Sequence, residues 1–387
     1  MSRTRPTPGA AAVVNPNTSA AMKNLGLAFA LTGLLLAALP SASTAAVVPT
    51  TDPNVRAGLS PYNWIVRDGG VSSSVCGASL TVRFRGTKHV AVRLDSPMAA
   101  RKDPARIPVV AWSVNGGEVR THQCGLDEKR LVLADGVQDP VVDLYIKGMS
   151  PSERRWDTDV PVNSLKVLGF EVDDGGTAAP TEMPAAIWLN VGDSILSGDG
   201  ALQGEKTGRP KVWATTGDAR ASYGYLLARH YGHRESRLAF GGYNWTGGMA
   251  RVPALTTLID QHAETISRLT DGRLTPAPAV VLVNLGANGV PPEADVVAAL
   301  TKLRARAGRD ARLIVMVPTG GQARDAIARA FATYKAASGD GAAHLVDLGA
   351  IKFATCDGLH PTTAGHEEIF RAAVPAFDAI LGRAAPR

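Results

Sequence analysis

The sequence predicts two domains of different class: an all-β sandwich of jelly-roll kind, followed by an α/β domain on a parallel sheet. Three observations carry this. From about Val47 to Asp174, apolar residues alternate with polar ones at a period of two, as in half-buried antiparallel strands. After Pro184, buried-strand runs alternate with amphipathic helical stretches, which implies a parallel sheet with helices on both faces. Between them, Asp173-Asp-Gly-Gly-Thr-Ala-Ala-Pro-Thr-Glu-Met-Pro184 is small and proline-containing, without apolar periodicity, and reads as a linker.

The first 46 residues read as a secretory signal. Lys23 precedes an apolar stretch from Leu25 to Leu39, the breaker Pro40, and the small residues Ser41-Ala-Ser-Thr-Ala-Ala46 suited to signal peptidase. The apolar stretch is too short to span a bilayer comfortably, so no stable membrane anchor is expected. Lys23 directly after Met22 suggests that translation starts at Met22. The protein is therefore expected to be exported, to the periplasm or beyond the cell.

Residues 47–174 form the expected sandwich. Leu80, Val82 and Phe84 alternate with Thr81, Arg83 and Arg85; Val142, Leu144 and Ile146 alternate with Asp143, Tyr145 and Lys147. Asn115-Gly116 marks a hairpin, and no helix is expected in this part. Residues 175–184 are the linker, and residues 185–387 the α/β domain. There, helices are expected near Ala219–Tyr231, Pro253–Leu269, Pro292–Ala307, Gln322–Ala337 and Thr362–Leu381. Strands are expected within Ala185–Val191, Arg237–Phe240, Ala279–Leu285, Ala311–Val317 and His344–Leu348.

Composition narrows the function. With 387 residues, 45% hydrophobic and 20% charged, the chain can bury sizeable cores. Its net charge of +6 falls to +3 without Arg3, Arg5 and Lys23 of the leader, too little and too dispersed for a nucleic-acid footprint. There are three cysteines. In an oxidising compartment Cys76 and Cys124, both in the sandwich, form a candidate disulfide; Cys356 has no local partner.

The chemistry gathers after the strands. Gly192-Asp193-Ser194 breaks the first run abruptly. Phe240-Gly241-Gly242-Tyr-Asn-Trp-Thr-Gly-Gly248 follows the second strand, Asn284-Leu-Gly286-Ala-Asn288-Gly289 the third, and Cys356-Asp357-Gly-Leu-His360-Pro361 lies near the end. Loops that follow parallel strands share one edge of the sheet, the edge where such sheets bind ligands. Together these loops supply a serine, glycine amides, a side-chain amide and an Asp/His pair.

These four segments, in this order, resemble the SGNH, or GDSL, hydrolases. The resemblance covers Ala185 to about Leu381. It implies a flavodoxin-like three-layer α/β/α domain, with Ser194 as nucleophile, His360 as base and Asp357 as the acid that orients it. The oxyanion would be met by the Ser194 amide, Gly242 and the side chain of Asn288, with Gly241 the alternative to Gly242. The third segment departs from the family in reading Gly289 where an aspartate usually follows asparagine, which removes a structural carboxylate. Two domains in this order also resemble the architecture of carbohydrate esterase family 2, whose members deacetylate polysaccharides. The function expected on that basis is hydrolysis of O-acetyl or other short acyl esters on a carbohydrate through an acyl-serine, with no cofactor and no metal. The acylated carbohydrate is the expected partner. A lipase, thioesterase or O-acetyltransferase on the same fold, or a polysaccharide-binding protein without turnover, are the alternatives.

The residues also support that chemistry directly. A serine hydroxyl needs a base to act as a nucleophile at neutral pH; an imidazole can take its proton and return it to the leaving alcohol; an aspartate three residues earlier can fix the imidazole tautomer. Each residue alone has a plainer role: Ser194 capping a helix, Asn288 bracing a turn, Gly242 allowing a bend, His360 in a loop. Their joint order favours the site. Competing motifs are missing: Ser194 precedes Ile195-Leu196 rather than closing a Gly-x-Ser-x-Gly elbow, and no phosphate-binding loop occurs. His230, His233 and His366 have no metal-ligand spacing and read as surface or capping residues. Tyr243, Trp245 and Trp156 are candidate sugar contacts, since aromatic faces suit sugar rings.

Overall fold

The computed structural model describes residues 45–382 apart from 68, 96–106, 126–127, 152–162, 266–268, 271 and 350. The expected leader, most of residues 1–46, and Trp156 lie outside the described residues. Among the described residues no helix is long and apolar enough to cross a membrane.

Two antiparallel sheets occupy Ala46–Ala179. One runs in the order Ile65–Arg67, Gly70–Ser73, Leu165–Val172, His89–Leu94, Arg130–Asp135, and Ala46–Pro49 also pairs with Leu165–Val172. The other runs Thr177–Ala179, Ser79–Arg85, Val141–Gly148, Val109–Val114, Arg120–Gln123. The alternation in sequence becomes alternation in burial: Leu80, Val82 and Phe84 are buried while Ser79, Thr81 and Arg83 are half-exposed. The inward faces share one apolar core, in which Phe84 of the second sheet meets Phe170 of the first edge-to-face, with centroids 5.2 Å apart. At the expected hairpin, Asn115 and Gly116 both have positive φ (52° and 69°), which a two-residue turn of the tight hairpin kind requires.

Two features depart from the sequence reading. A short helix, Pro53–Ala57, precedes the first long strand, capped by the Asp52 carboxylate, which accepts from Asn54 N and Val55 N. Five residues are too few to show helical periodicity. Thr177–Ala179, inside the expected linker, pairs antiparallel with Ser79–Arg85, placing Ala178 opposite Phe84. Small residues suit an edge strand as well as a tether, so composition did not reveal it.

The α/β part is built on five parallel strands in the order Arg234–Ala239, Ile187–Gly192, Val280–Asn284, Arg312–Met316, Ala343–Val346. Numbered along the chain this is 2-1-3-4-5, the flavodoxin-like order. The strands are almost wholly buried because both faces are covered. Leu189, Val191, Val281, Val283, Leu313 and Val315 share one core with residues of helices Leu255–Thr265, Glu293–Ala307 and Arg324–Ser338. Trp188, Val280, Leu282, Ile314 and Met316 share the other with Tyr223–His230 and Thr363–Leu381. All five helices expected from sequence are present, with ends shifted by a few residues. Their boundaries follow capping chemistry: Thr362 accepts from Gly365 N at the start of the last helix, which stops at Gly382 with φ 72°.

The sandwich and the sheet belong to one compact unit. The border strand Arg234–Ala239 is covered by the segment around Leu59–Asn63: Asn63 Nδ2 donates to Arg237 O at 2.7 Å, the Ser236 hydroxyl donates to Pro61 O, and Arg234 donates to Leu59 O.

Candidate active site

Strand Ile187–Gly192 ends at a glycine for a steric reason. A Cβ on Gly192 would lie 2.4 Å from a methyl carbon of Leu196, so a larger residue would push away the short helix Ser194–Ser197. Asp193 caps that helix, accepting from Ile195 N at 2.9 Å, and the helix closes at Gly198, φ 77°. Ser194 therefore stands at the first position of the helix, two residues after the strand, 5% exposed, beside the point where the strand order reverses.

His360 reaches it from the loop before the last helix. Its Nε2 is 3.0 Å from Ser194 Oγ and its Nδ1 is 2.9 Å from Asp357 Oδ2. The other carboxylate oxygen of Asp357 accepts from His360 N at 2.9 Å and Leu359 N at 3.1 Å. Burial disfavours the charge on Asp357, but the backbone and imidazole donors of His360 outweigh it and hold the carboxyl below the usual carboxylate range. The three sequence-selected residues thus form one hydrogen-bonded line from two segments 163 residues apart, Ser194 and Asp357.

The residues selected for the oxyanion, Gly241, Gly242 and Asn288, line the same pocket, about 390 Å³ in volume. Gly241 and Gly242 follow strand Arg234–Ala239. A Cβ at Gly241 would strike Pro151 at 2.3 Å; Gly242 has φ 68°, and a Cβ there would lie 2.5 Å from Met249 Cγ. Asn288 Nδ2 donates to Tyr243 O at 3.0 Å and to Asp193 Oδ2 at 3.3 Å, so its amide already faces the residue beside Ser194. Where the family resemblance expects a carboxylate after it, Gly289 instead offers its carbonyl to Asn244 Nδ2 at 3.1 Å.

Residues 189–373 match the family model described as GDSL-like Lipase/Acylhydrolase. The chain carries a GDSL-like lipase/acylhydrolase domain. None of the curated proteins matches the sequence. Among solved structures, a family two carbohydrate esterase from Cellvibrio japonicus is similar at 13% identity and a TM-score of 0.68, over 88% of this chain and 99% of that one. The acetyl xylan esterase Est2A from the rumen bacterium Butyrivibrio proteoclasticus is similar at 16% identity and 0.66, over 89% and 100%. The salicylyl-acyltransferase SsfX3 from a tetracycline biosynthetic pathway is similar at 17% and 0.58, over 88% and 100%. At these identities the likeness is one of fold.

Within the GDSL-like domain two of the expected sugar contacts are elsewhere. Tyr243 and Trp245 are 0% and 1% exposed and belong to the apolar core; Trp245 Nε1 donates to Leu285 O at 3.2 Å. Their position after Gly242 placed them near the site in sequence, but the chain turns inward there and uses both rings as packing. The bridge considered between Cys76 and Cys124 is not made: both are buried in the sandwich core, as cysteine packs well as a small apolar side chain. Cys356 is buried beside the site, its thiol pushed up to about 11 by burial and then by Asp357. His366, read as a surface or capping residue, is fully buried; its Nδ1 accepts from Tyr223 N at 3.3 Å at the start of helix Tyr223–His230, and burial pushes its pKa down to about 3. Among the described residues no three His, Cys, Asp or Glu side chains are grouped as a metal ion would require.

The pocket also contains residues that motif reading missed: Pro151, Asp199, Arg209, Trp213, Met249 and Leu359. Trp213 meets the imidazole of His360 edge-on, with centroids 5.0 Å apart. Most of these sit on loops, and the stretch from 198 to 222 is long, with only short helical turns. Such length in a compact domain is itself a signal of function.

Proposed function

We propose that this protein is an exported serine esterase that removes acetyl or other short acyl groups from a carbohydrate. The observation that carries the reading is His360, whose two ring nitrogens lie 3.0 Å from Ser194 Oγ and 2.9 Å from Asp357 Oδ2. In the proposed cycle Ser194 Oγ attacks the ester carbonyl carbon as its proton passes to His360 Nε2. The Ser194 amide, the Gly242 amide and Asn288 Nδ2, which turns one N–H from the long bond to Asp193 Oδ2, receive the negative charge on the former carbonyl oxygen. The bond to the sugar oxygen breaks, that oxygen takes the proton from His360, and acyl-Ser194 remains. Water then attacks the acyl carbon, gives its proton to His360, and releases the carboxylic acid as Ser194 regains its hydrogen. Asp357 holds the imidazole in the tautomer with hydrogen on Nδ1 and stabilises its charged form.

The carbohydrate side of the reading draws on the fold shared with the carbohydrate esterases and on the acetyl xylan esterase among them. The acyltransferase neighbour favours one alternative, transfer of the acyl group to another hydroxyl. The test is release of p-nitrophenol from its acetate and butyrate esters, and of acetate from acetylated polysaccharides, by wild type and Ser194→Ala. Loss of turnover in a variant of unchanged thermal stability supports the serine; retained turnover refutes it. Preference for the longer ester supports a lipase or thioesterase instead, and acyl transfer to added sugar that outcompetes hydrolysis supports the transferase.

A further inference from the structure

We propose that Arg209 makes the pocket selective for esters of carbohydrates that carry a carboxylate, so that the acyl group leaves an acidic rather than a neutral glycan. This rests on the esterase reading and specifies its substrate class. Arg209 lines the same pocket as Ser194 and His360. Its position relative to them is fixed through the backbone: Lys206 N donates to Thr355 O at 3.0 Å and Gly208 N to Cys356 O at 2.8 Å, both immediately before Asp357. Pro210 is buried directly after it. The guanidinium lies over the Trp213 ring, 5.6 Å from its centroid, and Trp213 in turn meets the imidazole of His360. A cation seated on an aromatic face keeps its N–H edges available.

Among the described residues this group has no carboxylate counterion. Asp357 is engaged by His360, and Asp199 accepts from the Ser197 hydroxyl at 2.8 Å. Among the described residues no carboxylate forms an ion pair with Arg209, whereas Arg304 pairs with Asp340 and Arg306 with Asp260. The rest of the lining is uncharged, from Pro151, Trp213, Gly241, Gly242, Met249, Asn288 and Leu359. A planar fork of donors in this lining, ion-paired to neither Asp357 nor Asp199, matches a carboxylate, which it can bind through two parallel hydrogen bonds.

The test compares acetate release from O-acetylated polygalacturonate and from O-acetylated glucomannan, an acidic and a neutral glycan, with p-nitrophenyl acetate alongside. Wild type should prefer the acidic glycan in kcat/KM by about tenfold or more at low salt, and the preference should shrink as salt rises. Arg209→Gln should lower the acidic-to-neutral ratio by about tenfold, and Arg209→Lys should retain part of it, because a point charge replaces the fork. Equal rates on the two glycans, or an equal loss on both in Arg209→Gln, overturns the inference and leaves Arg209 a support for Trp213. Turnover of p-nitrophenyl acetate without acidic preference overturns this inference alone; no turnover of any ester overturns the esterase reading and this inference with it.

Discussion

Asp193 Oδ2 accepts a hydrogen bond from Asn288 Nδ2 at 3.3 Å, which ties the residue before Ser194 to the amide proposed to receive the oxyanion. Asp193 is 1% exposed, and burial, against the opposing hydrogen bond from Ile195 N, pushes its carboxyl up to about 7, with Asp199 adding to the rise. The unfolded chain loses this proton near 3.8, the folded one near 7. Between those values the fold binds the extra proton, so this group's contribution to stability falls as pH rises and is constant above about 7. Asp193→Asn keeps a capping oxygen and removes the titration. Its thermal midpoint relative to wild type should climb between pH 4 and pH 8 in calorimetry; a difference that stays flat across that range refutes the assignment.

Asp357→Asn changes the partner of His360 Nδ1 while leaving the Leu359 and His360 amides an oxygen to bind. The amide can present hydrogen rather than accept it, which favours the wrong imidazole tautomer. We expect kcat to fall by about 10³- to 10⁴-fold on p-nitrophenyl acetate, by analogy with the corresponding change in serine proteases. A loss below tenfold would mean that the backbone around His360 suffices to orient the ring.

Gly242 combines φ 68° with a side-chain neighbour 2.5 Å from the place of a Cβ. Alanine there adds strain of about 1 kcal/mol from the left-handed backbone and displaces Met249. Gly242→Ala should lower kcat/KM on p-nitrophenyl acetate by about tenfold through misplacement of the 242 amide. Met249→Ala added to it should restore part of the rate, since the methionine is the obstacle. Failure of the second change to recover any activity would leave the backbone conformation as the whole cause.

Arg237 is fully buried and answers four groups at once. Its Nε donates to Glu235 Oε1 at 2.6 Å, and its terminal nitrogens donate to Leu196 O at 2.6 Å and Ala219 O at 2.9 Å; its own carbonyl takes Asn63 Nδ2. It thereby holds the C-terminal end of the helix that begins at Ser194. Arg237→Met leaves Glu235 with Asn190 as its remaining donor and should cost about 3–5 kcal/mol in urea unfolding. Adding Glu235→Gln should recover part of that loss. A cost under about 1 kcal/mol would show the network to be dispensable.

Much of the site was legible because its parts follow strands. Once Ile187–Gly192, Val280–Asn284 and the final helix are read from apolar runs, the loops after the two strands and the loop before that helix must meet at one sheet edge, and Ser194, Asn288 and His360 follow. Tyr243 and Trp245 were misread because their distance along the chain from Gly242 says nothing about direction: the loop turns its aromatic residues into the core. Arg209 and Trp213 were missed for the opposite reason. They lie in a stretch with no periodicity, which the backbone pairing of Lys206 and Gly208 with Thr355 and Cys356 brings beside His360. In the sandwich, alternation gave the long strands correctly, whereas the Pro53–Ala57 turn and the Thr177–Ala179 strand are set by local capping and pairing partners far along the chain.

The cover laid over strand Arg234–Ala239 has a consequence for how the molecule behaves in a crowd. A parallel sheet with an open border offers unpaired backbone groups to any passing strand, including one from a second copy. Here Asn63, Pro61 and Leu59 occupy that border with hydrogen bonds of irregular spacing, which no incoming strand can extend. The segment Leu59–Asn63 therefore shields this border from strand pairing, and without it the parallel sheet would carry a sticky flank.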